Sequence, residues 1–119
     1  MNKKILTVVV PSYNVEAYLE ETLLSFVHPD IMEDIEVLVV NDGSSDHTEK
    51  IGKWFEDHHP ETFRAITKEN GGHGSTINRG ISEAKGKYFK VVDGDDWVDT
   101  ENFRRLVKLL KRLDVDVVG

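Results

Sequence analysis

Two short runs, Ile5 to Val10 and Glu36 to Asn41, are nearly unbroken series of aliphatic and β-branched residues. A strand with one wet face alternates apolar and polar side chains. Runs without that alternation suit strands buried on both faces of a parallel sheet. Each run ends in turn-forming residues and is followed by an apolar pattern of helical spacing. After Pro11-Ser12-Tyr13-Asn14, Asn14 is placed to cap a helix from Val15, whose buried stripe is Leu19, Leu23, Phe26 and Val27. After the second run, Gly43 permits a tight turn, Asp46 and Glu49 have the spacing of a capping box, and Ile51, Trp54 and Phe55 give the next helical face.

Phe63 to Thr67 reads as a third strand. Ile77, Ile81 and Ala84 mark a third helix that Gly86 ends, and Tyr88 to Val92 is a fourth strand. Phe103, Leu106, Val107, Leu110 and Leu113 form the apolar face of a last helix, with Arg104, Arg105, Lys108, Lys111 and Arg112 opposite. Asp114 to Val118 alternates like the start of a fifth strand. Strands alternating with helices predict an α/β fold: a mainly parallel sheet, right-handed crossovers, and helices on both faces. In such sheets ligands bind outside the carboxyl ends of the strands. Those ends carry Pro11-Ser12-Tyr13-Asn14, Asn41-Asp42-Gly43-Ser44, Lys68-Glu69-Asn70-Gly71 and Asp93-Gly94-Asp95-Asp96. Four polar clusters on one edge of one sheet point to a binding site there.

The last cluster has its own chemistry. Tyr88 to Val92 runs straight into Asp93, Asp95 and Asp96, three carboxylates within four residues. Burying one unpaired charge costs several kcal/mol. Crowded carboxylates persist where a cation or a ligand's hydroxyls neutralise them, and hard oxygen ligands suit Mg²⁺ or Mn²⁺. Capping of the following helix by Asp99 or Thr100 accounts for an acid near its start, but not for three before Trp97.

Composition narrows the field. The 119 residues allow one domain, and 39% hydrophobic with 31% charged residues is a globular balance. A net charge of −7 argues against nucleic acid and requires that a phosphate near Asp93 to Asp96 arrive with a bridging cation. With no cysteine there is neither disulfide scaffold nor thiolate metal site, which fits a reducing cytoplasm. The apolar run after Lys3-Lys4 is too short for a secretion signal and is interrupted by Pro11. No stretch approaches the roughly 18 apolar residues of a membrane span. The basic face of the last helix suits solvent first and peripheral contact with anionic lipid second.

Other motifs fail on context. Gly72-His73-Gly74 lacks the third glycine of a dinucleotide fingerprint, since Ile77 stands in its place, and it follows the third strand rather than the first. Gly80 to Lys87 has one residue too many for a P-loop and leads from helix into strand. The five histidines show no metal-ligand spacing on a helix, although His73 falls on the ligand edge. No serine sits in a nucleophile elbow.

Taken together, Val9-Val10-Pro11-Ser12-Tyr13-Asn14, Val39-Val40-Asn41-Asp42-Gly43-Ser44-Ser45-Asp46, Glu69-Asn70-Gly71-Gly72, Asn78-Arg79-Gly80 and Val92-Asp93-Gly94-Asp95-Asp96-Trp97 resemble the family 2 glycosyltransferases of GT-A fold. The resemblance covers nearly the whole chain. It implies transfer of a sugar from a nucleotide diphosphate sugar to a glycan, lipid-linked or other acceptor, with inversion and a divalent cation, in polysaccharide or cell-wall biosynthesis. It places Pro11, Ser12 and Tyr13 at the base pocket and puts Asp42 on the base, commonly uracil. Asn70 and Asn78 fall near the nucleotide, Asp93 on the ribose, and Asp95, with Asp93, on Mg²⁺ or Mn²⁺. Asn41 stands where many members have aspartate. The family's acceptor half and catalytic base lie C-terminal to this nucleotide half. Residues 1–119 are therefore expected to be a donor-binding part, with the catalytic base beyond Gly119, working in the cytoplasm or at the membrane's inner face. The alternatives are a sugar nucleotidyltransferase, which would bring a glycine- and arginine-rich loop after the first strand, and a non-catalytic interaction module. A receiver domain would need its acid pair where Pro11-Ser12 stands. The oligomeric state is left open.

Overall fold

The computed structural model describes residues 4–118, with side chains through Leu113. Gly119, the residue beyond which the catalytic base is expected, lies outside the described residues, so that expectation has no structural counterpart here. The elements, in chain order, are β1 (Leu6–Ser12), α1 (Leu19–Leu24), β2 (Ile35–Asp42), α2 (Thr48–His58), β3 (Phe63–Lys68), α3 (His73–Glu83), β4 (Tyr88–Val91) and α4 (Thr100–Val118). The four strands form one parallel sheet in the order β3-β2-β1-β4. The first three strands step in one direction and β4 returns to the free side of β1. The order therefore reverses at β1, the kind of switch point beside which open α/β sheets bind ligands.

The pleat divides β1 between two cores. Leu6, Val8 and Val10 face a cluster completed by Leu19, Leu23 and Phe26 near α1, Phe55 of α2, and Phe103 and Val107 of α4. Val9 faces the other way, with Leu38, Val40 and Ile66, beneath α3. The expected three layers are therefore present. Gly80 lets α3 lie close to the sheet, because a Cβ there would overlap both methyl groups of Val9.

At the sheet's amino edge, Glu36 is 7% exposed. Thr7 Oγ1 donates to Glu36 Oε2 at 2.6 Å, Lys85 N–H donates to the same oxygen, and Gly86 N–H donates to Thr7 Oγ1 at 2.9 Å. This buried polar knot ties the α3–β4 connection to β1 and β2. Gly86 therefore serves close packing on Thr7 rather than helix termination, and α3 ends at Glu83.

Local expectations fail at three places. Asn14, at φ 52°, does not cap α1. Its Oδ1 accepts from Ser45 N–H at 2.8 Å and so joins the β1 and β2 loops. The capping box is absent. Asp46 Oδ1 accepts from Thr48 N–H at 2.9 Å and its Oδ2 from Glu16 N–H at 3.1 Å, while Glu49 accepts from Thr67 Oγ1. Finally, α4 continues through Val118 where a fifth strand was expected. No glycine or proline lies between Thr100 and Val118, and extending a helix already formed is far easier than nucleating another element. Three basic residues of α4 reach the segment before β2: Arg104 pairs with Asp30, Lys108 donates to Asp30 O, and Lys111 pairs with Asp34, while Arg105 pairs with Glu101 on α4 itself.

Gly80→Ala tests the α3 packing. It should lose about 1–3 kcal/mol of stability through overpacking against Val9. In a Val9→Ala background the same change should cost less, because the two methyl groups it would overlap are gone and only the Cβ of residue 9 stays close, at 3.2 Å, while alanine is the better helix former. Urea denaturation of the four variants in the cycle measures both.

Candidate functional site

The last rung between β2 and β3 sets Asp42 beside Lys68. Asp42 is only 4% exposed, and its carboxylate accepts three hydrogen bonds within the fold. Oδ1 accepts from Lys68 Nζ at 2.9 Å and from Gly71 N–H at 2.8 Å, and Oδ2 accepts from Gly72 N–H at 3.0 Å. Burial pushes the carboxyl upward, but the bonds from Lys68, Gly71 and Gly72 together with the lysine charge outweigh it. Asp42 sits below its ordinary range. Gly72 takes φ 94°, a conformation that side chains rarely adopt, where the chain turns from this corner into α3.

Asn70 closes the same corner, donating from Nδ2 to Asp42 O at 3.0 Å. The approach is tight: Gly43 has φ 68°, and a Cβ there would lie 2.9 Å from Asn70 N. Asn41 works in this turn, its Oδ1 accepting from Ser44 N–H at 3.1 Å. An aspartate at that position could accept the same bond but would bury a second charge next to Asp42.

β4 carries the acid cluster to the opposite bank. Pairing with β1 continues past the strand, through Val92 N–H to Val9 O at 3.0 Å and Gly94 N–H to Pro11 O at 3.0 Å. A Cβ on Gly94 would lie 2.8 Å from Ser12 Oγ, so only glycine lets this loop approach β1 so closely. Asp96 N–H closes the turn on Asp93 O at 2.9 Å. Thr22 Oγ1 braces the turn from behind by donating to Gly94 O at 3.0 Å and to Asp96 O. Asp93, Asp95 and Asp96 all face solvent.

Between the banks lies a cleft of about 370 Å³ lined by Pro11, Ser12, Tyr13, Asp42, Asn70, Gly72, His73 and Thr76. Of the residues expected from sequence, Pro11, Ser12, Tyr13, Asp42 and Asn70 meet here, with Asp93 at its rim. Tyr13 is 53% exposed and offers its ring to the cleft. Ser12 lines it but spends its hydroxyl on Val10 O at 3.1 Å. Asn78 does not line the cleft; it lies on the exposed side of α3. Lys68 and His73 complete the arrangement: His73 Nε2–H donates to Asp93 Oδ1 at 2.8 Å. The sequence signal for Lys68 was its place in the polar cluster one residue past a predicted strand; its register with Asp42 appears only in the paired sheet. A second hollow of about 430 Å³, between α1 and α2, is lined by Glu20, Leu24, Lys50, Ile51, Trp54 and Phe55 and holds none of the clustered acids.

Among the described residues no three acids or histidines converge into a closed cage. Mg²⁺ usually binds through one or two carboxylates together with substrate phosphates, so exposed hard oxygens on Asp93 and Asp95 fit such an ion. Asp95 has no intramolecular partner among the described residues, which leaves its lone pairs free.

This arrangement has counterparts. The family model for glycosyl transferase family 2 matches residues 7–119. The chain belongs to that family. Its relatives include the uncharacterized glycosyltransferase EpsJ of Bacillus subtilis, 36% identical over 97% of this chain and 33% of EpsJ. The minor teichoic acid biosynthesis protein GgaB of the same organism is 34% identical over 95% of the chain and 13% of GgaB. Among solved structures, S. aureus TarS residues 1–349 in complex with UDP-GlcNAc superposes with a TM-score of 0.76 at 28% identity, covering 91% of the chain and 31% of TarS 1–349. The GT-A fold expected from the resemblance is therefore present, and the nucleotidyltransferase alternative is set aside. The chain spans about a third of the length of EpsJ and of TarS 1–349.

Because the Asp42 carboxyl lies below its ordinary value, its contribution to stability is complete above the unfolded-state value of about 3.9 and is lost as pH falls through the folded-state value. In an NMR titration the Gly71 and Gly72 amide shifts should follow one curve with its midpoint below about 3.9. A midpoint at or above that value would contradict the pairing.

Proposed function

We propose that this chain is the donor-binding part of a glycosyltransferase that moves a sugar from a UDP-sugar to an acceptor, with a divalent cation and with inversion. The observation that carries this is that Asp42 and Tyr13 line one cleft at the carboxyl edge of the sheet, to which Asp93 is joined through His73. The UDP-GlcNAc complex of TarS supports a uridine nucleotide.

An ionised carboxylate offers about four lone-pair positions, and three on Asp42 are filled within the fold. One remains, which suits a base presenting a single ring N–H, as uracil does. The Tyr13 ring and Pro11 give the base a flat wall, and Asn70 fixes the loop beside it. Asp93 would meet the ribose, and Asp95, with Asp93, would hold Mg²⁺ or Mn²⁺ beside the diphosphate. When bound, the cation supplies Lewis-acid stabilisation of the charge that develops on the diphosphate leaving group. The residues of this chain bind and orient the donor. The acceptor site and the base that deprotonates the acceptor hydroxyl lie beyond Gly119, a division supported by the length of the relatives. That GgaB is a minor teichoic acid biosynthesis protein supports a cell-surface polymer as the acceptor class; the transfer would be made on the cytoplasmic side.

Calorimetric titration with UDP tests this reading. Binding should be present with Mn²⁺, weaker by at least about tenfold in EDTA, and similarly weakened in Asp95→Asn with melting temperature unchanged. Binding that ignores EDTA would keep the nucleotide pocket and remove the role of Asp95. A folded chain that binds no nucleotide would leave the non-catalytic module.

A further inference from the structure

His73 opens α3, and its imidazole crosses the cleft rim to Asp93 on the other bank, at 2.8 Å between Nε2 and Oδ1. The two side chains are 62% and 54% exposed. A pair so exposed contributes at most about 1 kcal/mol to folding, so stability does not explain it. Both ends are anchored on backbone that cannot drift. The turn before His73 is held by the Gly71 and Gly72 N–H groups on Asp42, and Thr76 Oγ1 donates back to Gly72 O at 2.9 Å. Asp93 is held through Gly94 N–H on Pro11 O and Asp96 N–H on Asp93 O. What remains free at Asp93 is rotation of its carboxylate, whose terminal torsion is intrinsically broad. His73 restrains it by engaging one lone pair of Oδ1, and leaves Oδ2 open.

We propose that His73 is a positioning residue: from the α3 side of the cleft it fixes the orientation of the Asp93 carboxylate so that the Asp93–Asp95 pair receives the divalent cation. This rests on the cation-dependent donor reading above. Residues that hydrogen-bond metal-ligating carboxylates set ligand orientation, and their loss typically lowers metal affinity about 10- to 100-fold.

The experiment is UDP titration of the wild type, His73→Ala and His73→Gln over a series of Mn²⁺ concentrations and in EDTA, with melting temperatures alongside. In wild type, Mn²⁺ should strengthen UDP binding. In His73→Ala the half-saturating Mn²⁺ concentration should rise about tenfold at unchanged melting temperature. His73→Gln, whose amide nitrogen can donate from a similar position, should recover most of that loss. An alanine variant with wild-type half-saturation by Mn²⁺ overturns this inference alone. Equal weakening with and without Mn²⁺ also overturns it, since His73 would then act on the nucleotide or on the loop. A wild type whose UDP binding ignores Mn²⁺ overturns the cation reading and this inference together.

Discussion

A carboxylate that is 4% exposed at the end of a central strand must be surrounded by donors, and the site follows from how Asp42 meets that need. Its strand neighbour in register supplies one cation, Lys68, and the chain just beyond β3 supplies two backbone N–H groups. Satisfying Asp42 therefore fixes the course of residues 69–72, and with it the point at which α3 begins. Because α3 begins there, His73 stands opposite Asp93. One buried charge thus sets the spacing between the two banks of the cleft.

The opposite bank depends on close approach rather than charge. β4 is short, and its alignment beyond Val91 is maintained by two further hydrogen bonds to β1 and by the hydroxyl of Thr22 from the α1 side. Gly94 leaves room for Ser12 Oγ, as Gly43 does for Asn70 and Gly80 for Val9. At these three places two backbones, or a backbone and a rigid side chain, meet where the site or the layer supporting it is assembled.

What the sequence made legible was the part governed by pattern. The unbroken apolar runs identified β1 and β2 as central strands, and the polar residues ending each run placed the site on the carboxyl edge with Pro11, Tyr13, Asp42, Asn70 and Asp93 on it. What stayed hidden depended on partners distant in the chain. Asn14 has the chemistry of a helix cap, but Ser45 N–H, 31 residues away, claims it instead, and Asp46 divides its carboxylate between Thr48 N–H at the start of α2 and the distant Glu16 N–H. Residues 114–118 alternate like a strand, yet an uninterrupted helix runs through them. Lys68 showed no motif at all, because its meaning lies in a register that exists only once β2 and β3 have paired.

The acids of this edge divide into two kinds by environment. Asp42 is buried, and its charge is stabilised by the fold before any ligand arrives, so the end of the cleft beside it is preformed and reorganises little on binding. Asp93 and Asp95 are exposed, with lone pairs left unfilled and no cage around them among the described residues. A cation held by them, as proposed, would need further oxygens, which a diphosphate would provide. On the proposed reading, a preformed pocket for the base joined to an incomplete pocket for the phosphates would make cation affinity depend on the nucleotide being in place. Thermodynamic linkage then makes nucleotide affinity depend on the cation by the same factor.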